Sequence, residues 1–198
     1  MSISETSICN SALSKIGADR ILSLDDNTAQ GRLCKEQYAK LRDSLLMEHP
    51  WNFAVGRKEL GLSTFKPAFK YDNAFEIPND CLRILECDFN EYISIGADRP
   101  WDVEIDPDTE NKYLVTNESS VKILYIKSVL EARFTAMFAE VLAYRLAMEF
   151  AYPLTQSASL VEDMTRKYMK ALADCRSFDG AEGSLKQVQA DDWLYARY

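Results

Sequence analysis

The stretch His49-Pro50-Trp51-Asn52-Phe53-Ala54 decides how the chain is organised, because helical periodicity ends there and an aromatic, β-branched region begins. Proline disfavours helical geometry at the residue before it, so the helix that reaches this stretch is expected to end at His49. His49 is the only histidine of the chain. A lone histidine can act as a catalytic base, but the role expected here is that of a local hydrogen-bonding partner at a helix end. We predict that Trp51 and Phe53 anchor the junction between helix and strand.

Two helices are predicted before this junction. The first begins near Ser4, where Ser2 and Glu5 have capping-box spacing, and it ends before Gly17. The second begins around Asn27. Apolar residues recur at helical spacing in both. They are Ile8, Cys9, Ala12, Leu13 and Ile16 in the first helix, and Ala29, Leu33, Cys34, Tyr38, Leu41 and Leu45 in the second.

Residues 51–130 are rich in aromatic and β-branched residues and are interrupted by glycine and proline, which predicts short strands. The clearest strands are 81–88 and 121–127, and the weaker ones are 92–95, 103–105 and 113–116.

The strand 121–127 is apolar on both faces. Val121, Ile123 and Tyr125 share one face, and Leu124 and Ile126 share the other with Lys122. Such a strand lies centrally in a sandwich or covers a subunit contact. For the second alternative, Leu124 and Ile126 are the predicted contact residues.

Helical periodicity returns at about Ala132, and Pro153 is expected to interrupt or restart this third helix. A fourth helix begins between residues 155 and 159. After Phe178 the regular pattern stops, and the glycines of 179–184 indicate a hinge. The third helix carries a row of small residues that permits close approach of another helix. The row consists of Ala139, Ala143, Ala147 and Ala151.

The chain end is unusually aromatic for a segment without regular periodicity, since disordered segments are poor in aromatic residues. We therefore predict that it is buried against a neighbouring subunit, or that it folds back on its own helices. The residues concerned are Trp193, Leu194, Tyr195, Arg197 and Tyr198.

These elements predict an α+β fold. Four helices form a bundle, a β-rich insertion separates helices 2 and 3, and an extended tail follows. The corresponding segments are 1–50 for helices 1 and 2, 51–130 for the insertion, 131–178 for helices 3 and 4, and 179–198 for the tail.

The residues that commonly carry chemistry are not arranged for it. Phosphate-loop, dinucleotide-binding, nucleophile-elbow and zinc-protease motifs are absent from the sequence. The five cysteines show no C-x-x-C spacing, and the acidic run 102–110 lacks the glycine and the final glutamate of a calcium loop. We therefore predict no catalytic residue, no metal site and no cofactor.

Charge and hydropathy restrict the partners. The 23 basic and 31 acidic residues give a net charge of −8, which argues against a general phosphate-binding surface. No apolar run approaches the roughly 18 residues of a membrane-spanning helix, and the first residues do not resemble a signal peptide. A soluble protein made in the cytoplasm, without a membrane partner, is expected.

The sequence around the junction resembles the tail tubular protein A family, the head-to-tail adaptors of short-tailed bacteriophages. Residues 42–60 match that family's R-x-x-LL-x-x-HPWNFA-x-x-R-x-x-L. Further similar segments follow in the family's order. They are 8–17, 21–26, 71–83, 138–147 and 154–157. The family's F-D-P-x-F before the third helix is absent, since residues 132–138 read ARFTAMF, which leaves the start of that helix open.

The resemblance implies a structural protein of the virion's neck. Such adaptors form a ring of twelve subunits between the portal protein and the tail nozzle protein, and double-stranded DNA passes through the ring without specific binding. Two alternatives remain at this point. One is a tail-associated peptidoglycan hydrolase, which needs a cleft with a carboxyl group of raised pKa. The other is a small regulatory module of the cytosol.

Overall fold

A computed structural model describes residues 3–88 and 101–182. Within these ranges the fold is α+β, as predicted, with four α-helices and two three-stranded antiparallel sheets. The helices are α1 Glu5–Lys15, α2 Ala29–Glu48, α3 Ala136–Thr155 and α4 Ala158–Ala181. The strands are β1 Val55–Glu59, β2 Asn73–Glu76, β3 Cys81–Asp88, β4 Trp101–Ile105, β5 Lys112–Thr116 and β6 Lys122–Lys127.

The first two helices lie close to their predicted positions. The capping box of α1 is formed by Ser4 and Ser7 and not by Ser2 and Glu5: the Ser4 hydroxyl accepts the Ser7 N–H at 3.2 Å, and the Ser7 hydroxyl accepts the Ser4 N–H at 2.9 Å. Gly17 follows this helix with φ +73°, a conformation that glycine adopts without strain. α2 ends at Glu48, and His49 is extended, as Pro50 requires.

The two later helices end later than the sequence predicted, and α3 begins at Ala136 and not near Ala132. α3 continues through Pro153, which lies in its last turn and so removes a single helical hydrogen bond before Gln156 ends the helix with φ 55°. α4 continues through Asp179 and Gly180, so the predicted hinge is wrong for 179–181. Gly183 and the tail lie outside the described residues.

The predicted four-helix bundle is not confirmed. α1, α2 and α4 each pack mainly against α3, while α1 and α2 contact each other much less. α3 has this central place because its apolar residues cover more than one side, so it is buried against several neighbours. Its buried residues are Phe138, Val141, Leu142, Ala143, Leu146, Ala147, Phe150 and Ala151.

The strands form two sheets, in the orders β1-β6-β3 and β2-β5-β4. β6 is the central strand of the first sheet, and its two apolar faces pack against different neighbours. Val121, Ile123 and Tyr125 belong to a core shared with Phe75 and Leu114 of the second sheet. Ile126 belongs to the helical core and is fully buried, so it is not available as the contact residue that the sequence suggested.

The other strand predictions were partly correct. β3 has the predicted bounds, and β4 and β5 include the segments predicted at 103–105 and 113–116. The strand predicted at 92–95 lies outside the described residues. Within 3–88 and 101–182, none of the helices combines the length and apolar composition needed to cross a membrane.

Candidate functional site

The helix-to-strand junction, residues 49–54, is a tight turn between α2 and β1. The Trp51 N–H donates to the His49 carbonyl at 2.8 Å, and the N–H groups of Ala54 and Val55 donate to the Trp51 carbonyl at 2.8 and 3.1 Å. The chain therefore passes from helix to strand within a few residues, and these residues hydrogen-bond to one another.

Trp51 is the centre of an aromatic cluster. Its indole is fully buried, and the indole N–H donates to the Leu45 carbonyl in the last turn of α2 at 3.0 Å. Its ring centroid lies 4.7 Å from that of His49 and 5.1 Å from that of Phe138 on α3. The ring centroid of Phe53 lies 5.0 Å from that of Phe138. The predicted anchors thus join the junction to the central helix.

His49 and Asn52 of the junction bind Asp179 near the end of α4. The His49 Nε2 atom lies 3.1 Å from one Asp179 carboxylate oxygen, and the Asn52 N–H donates to the other at 3.1 Å. The Asn52 side-chain amide donates to the Asp179 carbonyl at 2.6 Å. We call His49, Asn52 and Asp179 the Asp179 cluster.

A second link joins α2 to α4 beside this cluster. Glu48 accepts from Arg176 at 3.0 Å and from the Tyr168 hydroxyl at 3.2 Å. Burial, together with the Glu48 carboxylate, raises the pKa of Tyr168 to about 12. The phenol therefore stays protonated and able to donate well above neutral pH.

Arg42 is the first residue of the motif 42–60 and lies on α2, before the junction. Its guanidinium is 3.2 Å from Glu131 and 2.9 Å from Asp43. Glu131 also accepts from the Tyr38 hydroxyl at 3.3 Å. This cluster holds α2 against the short 3-10 turn Glu131–Arg133 that precedes α3.

Sequence reasoning missed Asp179 and Glu131. Asp179 follows the buried positions Leu172 and Cys175 at helical spacing, so its burial is detectable, but it is also the first residue of the segment 179–184 that predicts a hinge. Glu131 lies between two segments of regular periodicity and gives no comparable signal.

The outer face of the first sheet carries the second candidate contact residue, Leu124, which is half-buried. Arg57 of β1 and Glu86 of β3 are its partners across the sheet, and both are exposed. A surface groove of about 660 Å³ runs over this face, and Leu124 is among the residues that line it. We call it the sheet groove. It has an apolar centre between side chains of opposite charge.

Two carboxylates of the acidic run 102–110 accept hydrogen bonds from protein groups, one from outside the run and one from within it. Asp102 accepts from Lys70 at 2.8 Å and from the Tyr71 hydroxyl at 2.7 Å. Asp106 accepts from the Thr109 hydroxyl and from the Asp108 N–H, and these bonds lower its pKa. In the part of the chain that the structure describes, no group of three or more His, Cys, Asp or Glu side chains is placed to hold a metal ion.

The tail contact residues lie outside the described residues. They are Trp193, Leu194, Tyr195, Arg197 and Tyr198.

No family model matches the chain, and no curated protein matches it. A function as an adaptor therefore rests on the resemblance of residues 42–60 to the adaptor family, and it is stated below as a proposal.

Proposed function

We propose that the chain is the head-to-tail adaptor of a short-tailed bacteriophage. It acts as a structural virion protein in a ring of twelve subunits between the portal protein and the tail nozzle protein, and it has no catalytic role. One observation carries the proposal. The residues that define the resemblance over 42–60 occupy one connected region at the meeting point of helices and sheet.

The motif residues have separate roles in that region. Arg42 pairs with Glu131 before α3, and Leu46 is fully buried in the helical core. Trp51 closes the end of α2, and Leu60 lies in the core between the sheets. These four motif residues therefore all take part in the packing of this chain, and none of them is a free surface residue.

A connector must also keep its shape while neighbours hold it from opposite sides. The junction serves that need, because Trp51 and Phe53 tie it to α3 while His49 and Asn52 tie it to α4. Buried aromatic and hydrogen-bonded contacts of this kind resist bending better than an exposed linker.

The proposed subunit contacts are the sheet groove and the tail. The groove offers the half-buried Leu124 between Arg57 and Glu86, and a neighbour with the opposite order of charges would match it. The tail segment, with its aromatic residues, is proposed to reach a neighbouring adaptor or the portal. The net charge of −8 favours passage of DNA over binding.

Mass measurement of the purified chain, alone and with portal rings of the same phage, tests the proposal. We expect twelve copies on each portal ring, whether or not the free chain is monomeric. Leu124→Asp should abolish assembly with the monomer still folded. Val103→Asp is the matched control, because Val103 is an apolar strand residue that is 48% exposed on the other sheet.

Three results would contradict the proposal in different ways. Absence of any complex between the wild-type chain and the portal rings would overturn the adaptor function. Equal assembly of the Leu124 and Val103 variants would remove the sheet groove from the contact. A chain that cleared a peptidoglycan zymogram would be an enzyme, against the proposal.

Removal of residues 186–198 tests the tail. We expect lost portal docking with an unchanged melting temperature, because the contact lies with another molecule. A lower melting temperature with normal docking would show instead that the tail packs on its own subunit.

A further inference from the structure

Asp179 occupies a position that the stability of its own helix does not explain. It lies in the last two turns of α4, where the helix dipole is negative and a carboxylate is disfavoured. It is only 7% exposed, and burial of a charged group is unfavourable unless hydrogen bonds compensate. Lysine or arginine would suit this position of an isolated helix better.

The compensation comes from the junction and not from α4. Both carboxylate oxygens and the backbone carbonyl of Asp179 contact His49 or Asn52, which lie 130 and 127 positions earlier in the chain. Three contacts from one residue restrict both the position and the rotation of the helix end. Arg176, one turn earlier, adds the contact with Glu48.

We infer that Asp179 is a positioning residue, which sets the place and the rotation of the C-terminal end of α4. Asp179 is the first residue of the segment 179–198 that is proposed as the docking tail. Under the proposed function, on which this inference rests, the Asp179 cluster fixes the helix end to which the docking tail is joined. Loss of the cluster should therefore weaken docking more than an equal loss of global stability does.

Three variants separate positioning from stability. Asp179→Ala removes both side-chain contacts. Asp179→Asn retains an oxygen for the Asn52 N–H and an amide that can bind His49, so it should restore most of the effect. Leu172→Ala is the matched control, because Leu172 is buried in the same helix two turns earlier and its side chain forms no hydrogen bond to the junction.

Hydrogen exchange measures the anchoring without any partner. In Asp179→Ala the amides of residues 176–182 should exchange at least tenfold faster, while the amides of α2 and α3 change no more than global stability requires. Leu172→Ala should show no selective change at residues 176–182. Uniform acceleration in both variants would overturn the inference.

Docking on portal rings measures the consequence, at a temperature where all variants are folded. Asp179→Ala should bind at least tenfold more weakly than Leu172→Ala, and Asp179→Asn should stay within threefold of wild type. Equal binding of the Ala variants would overturn the role of the cluster in docking. If the wild-type chain did not bind, the proposed function would fail, and hydrogen exchange alone would decide whether Asp179 anchors the helix end.

Discussion

Trp51→Ala is the change that tests the junction most directly. The indole is fully buried among His49, Phe53 and Phe138. Its removal therefore leaves a cavity inside the protein that these neighbours fill only in part. Truncation of a buried Trp or Phe to Ala costs about 3–5 kcal/mol of unfolding free energy. The change also leaves the Leu45 carbonyl without its indole donor, which adds to the cost within that range.

Two further variants divide this cost. Trp51→Phe keeps an aromatic ring but loses the indole N–H and part of the volume, so we expect a loss of about 2 kcal/mol. His49→Gln keeps an amide that can bind Asp179 and changes only the edge of the aromatic cluster, so we expect about 1 kcal/mol or less.

Urea unfolding followed by circular dichroism at 222 nm measures these differences, provided that the m-value does not change. For a chain of this length, Trp51→Ala should lower the melting temperature by about 6–20 °C. Phe69→Ala is the control, because Phe69 is 82% exposed and its truncation should cost within about 0.5 kcal/mol. Equal losses in the Trp51 and Phe69 variants would refute the anchoring role.

Three other predictions follow from burial and charge. Ile126→Asp should prevent folding, because Ile126 is fully buried, whereas Leu124→Asp should leave a folded monomer; circular dichroism decides, and a folded Ile126 variant would contradict the packing. A thiol reagent at pH 8 should modify only Cys81 and Cys87 in the native chain, and the reaction should be slow because burial raises the pKa of both thiols. All five cysteines should react in urea, and rapid reaction of a third thiol in the native chain would contradict the burial. Because burial raises the pKa of Tyr168 from 10 to about 12, its contribution to stability is complete below pH 10 and is lost as the pH rises to 12, by about 2–3 kcal/mol. Tyr168→Phe should flatten the urea stability curve over that interval, and an unchanged slope would contradict the prediction.

The parts of the fold that local physics determines were predictable. Pro50 ends α2 wherever the rest of the chain lies, and a short segment rich in apolar residues after the turn at Pro78 predicts β3 without knowledge of its neighbours. The two faces of β6 were visible in the same way. The sequence left open what covers them, and the structure assigns one face to the second sheet and Ile126 to the helices.

The parts that depend on distant residues were not predictable. β1 carries Arg57, Lys58 and Glu59 in succession, which is a poor strand pattern, and it forms because it pairs with β6. Asp179 is helical and buried because His49 and Asn52 bind its carboxylate. From the local sequence alone, the glycines of 179–184 indicate a hinge instead. Local propensity was overridden at each of these positions by a contact more than 60 residues away.

The same long-range contacts connect the helical core with the core between the sheets. β1 receives the chain from α2, β6 returns it towards α3, and the two strands pair directly, with Val55 opposite Ile126. The entrance and the exit of the β region therefore lie side by side, next to the aromatic cluster of Trp51. A perturbation at this place affects the helical core and the first sheet together, because Trp51 and Ile126 belong to the same helical core while β6 also supports the core between the sheets. The residues that resemble the adaptor family lie where the helical core meets the first sheet. A proposed connector needs these two parts of the subunit to be held rigidly together at this place.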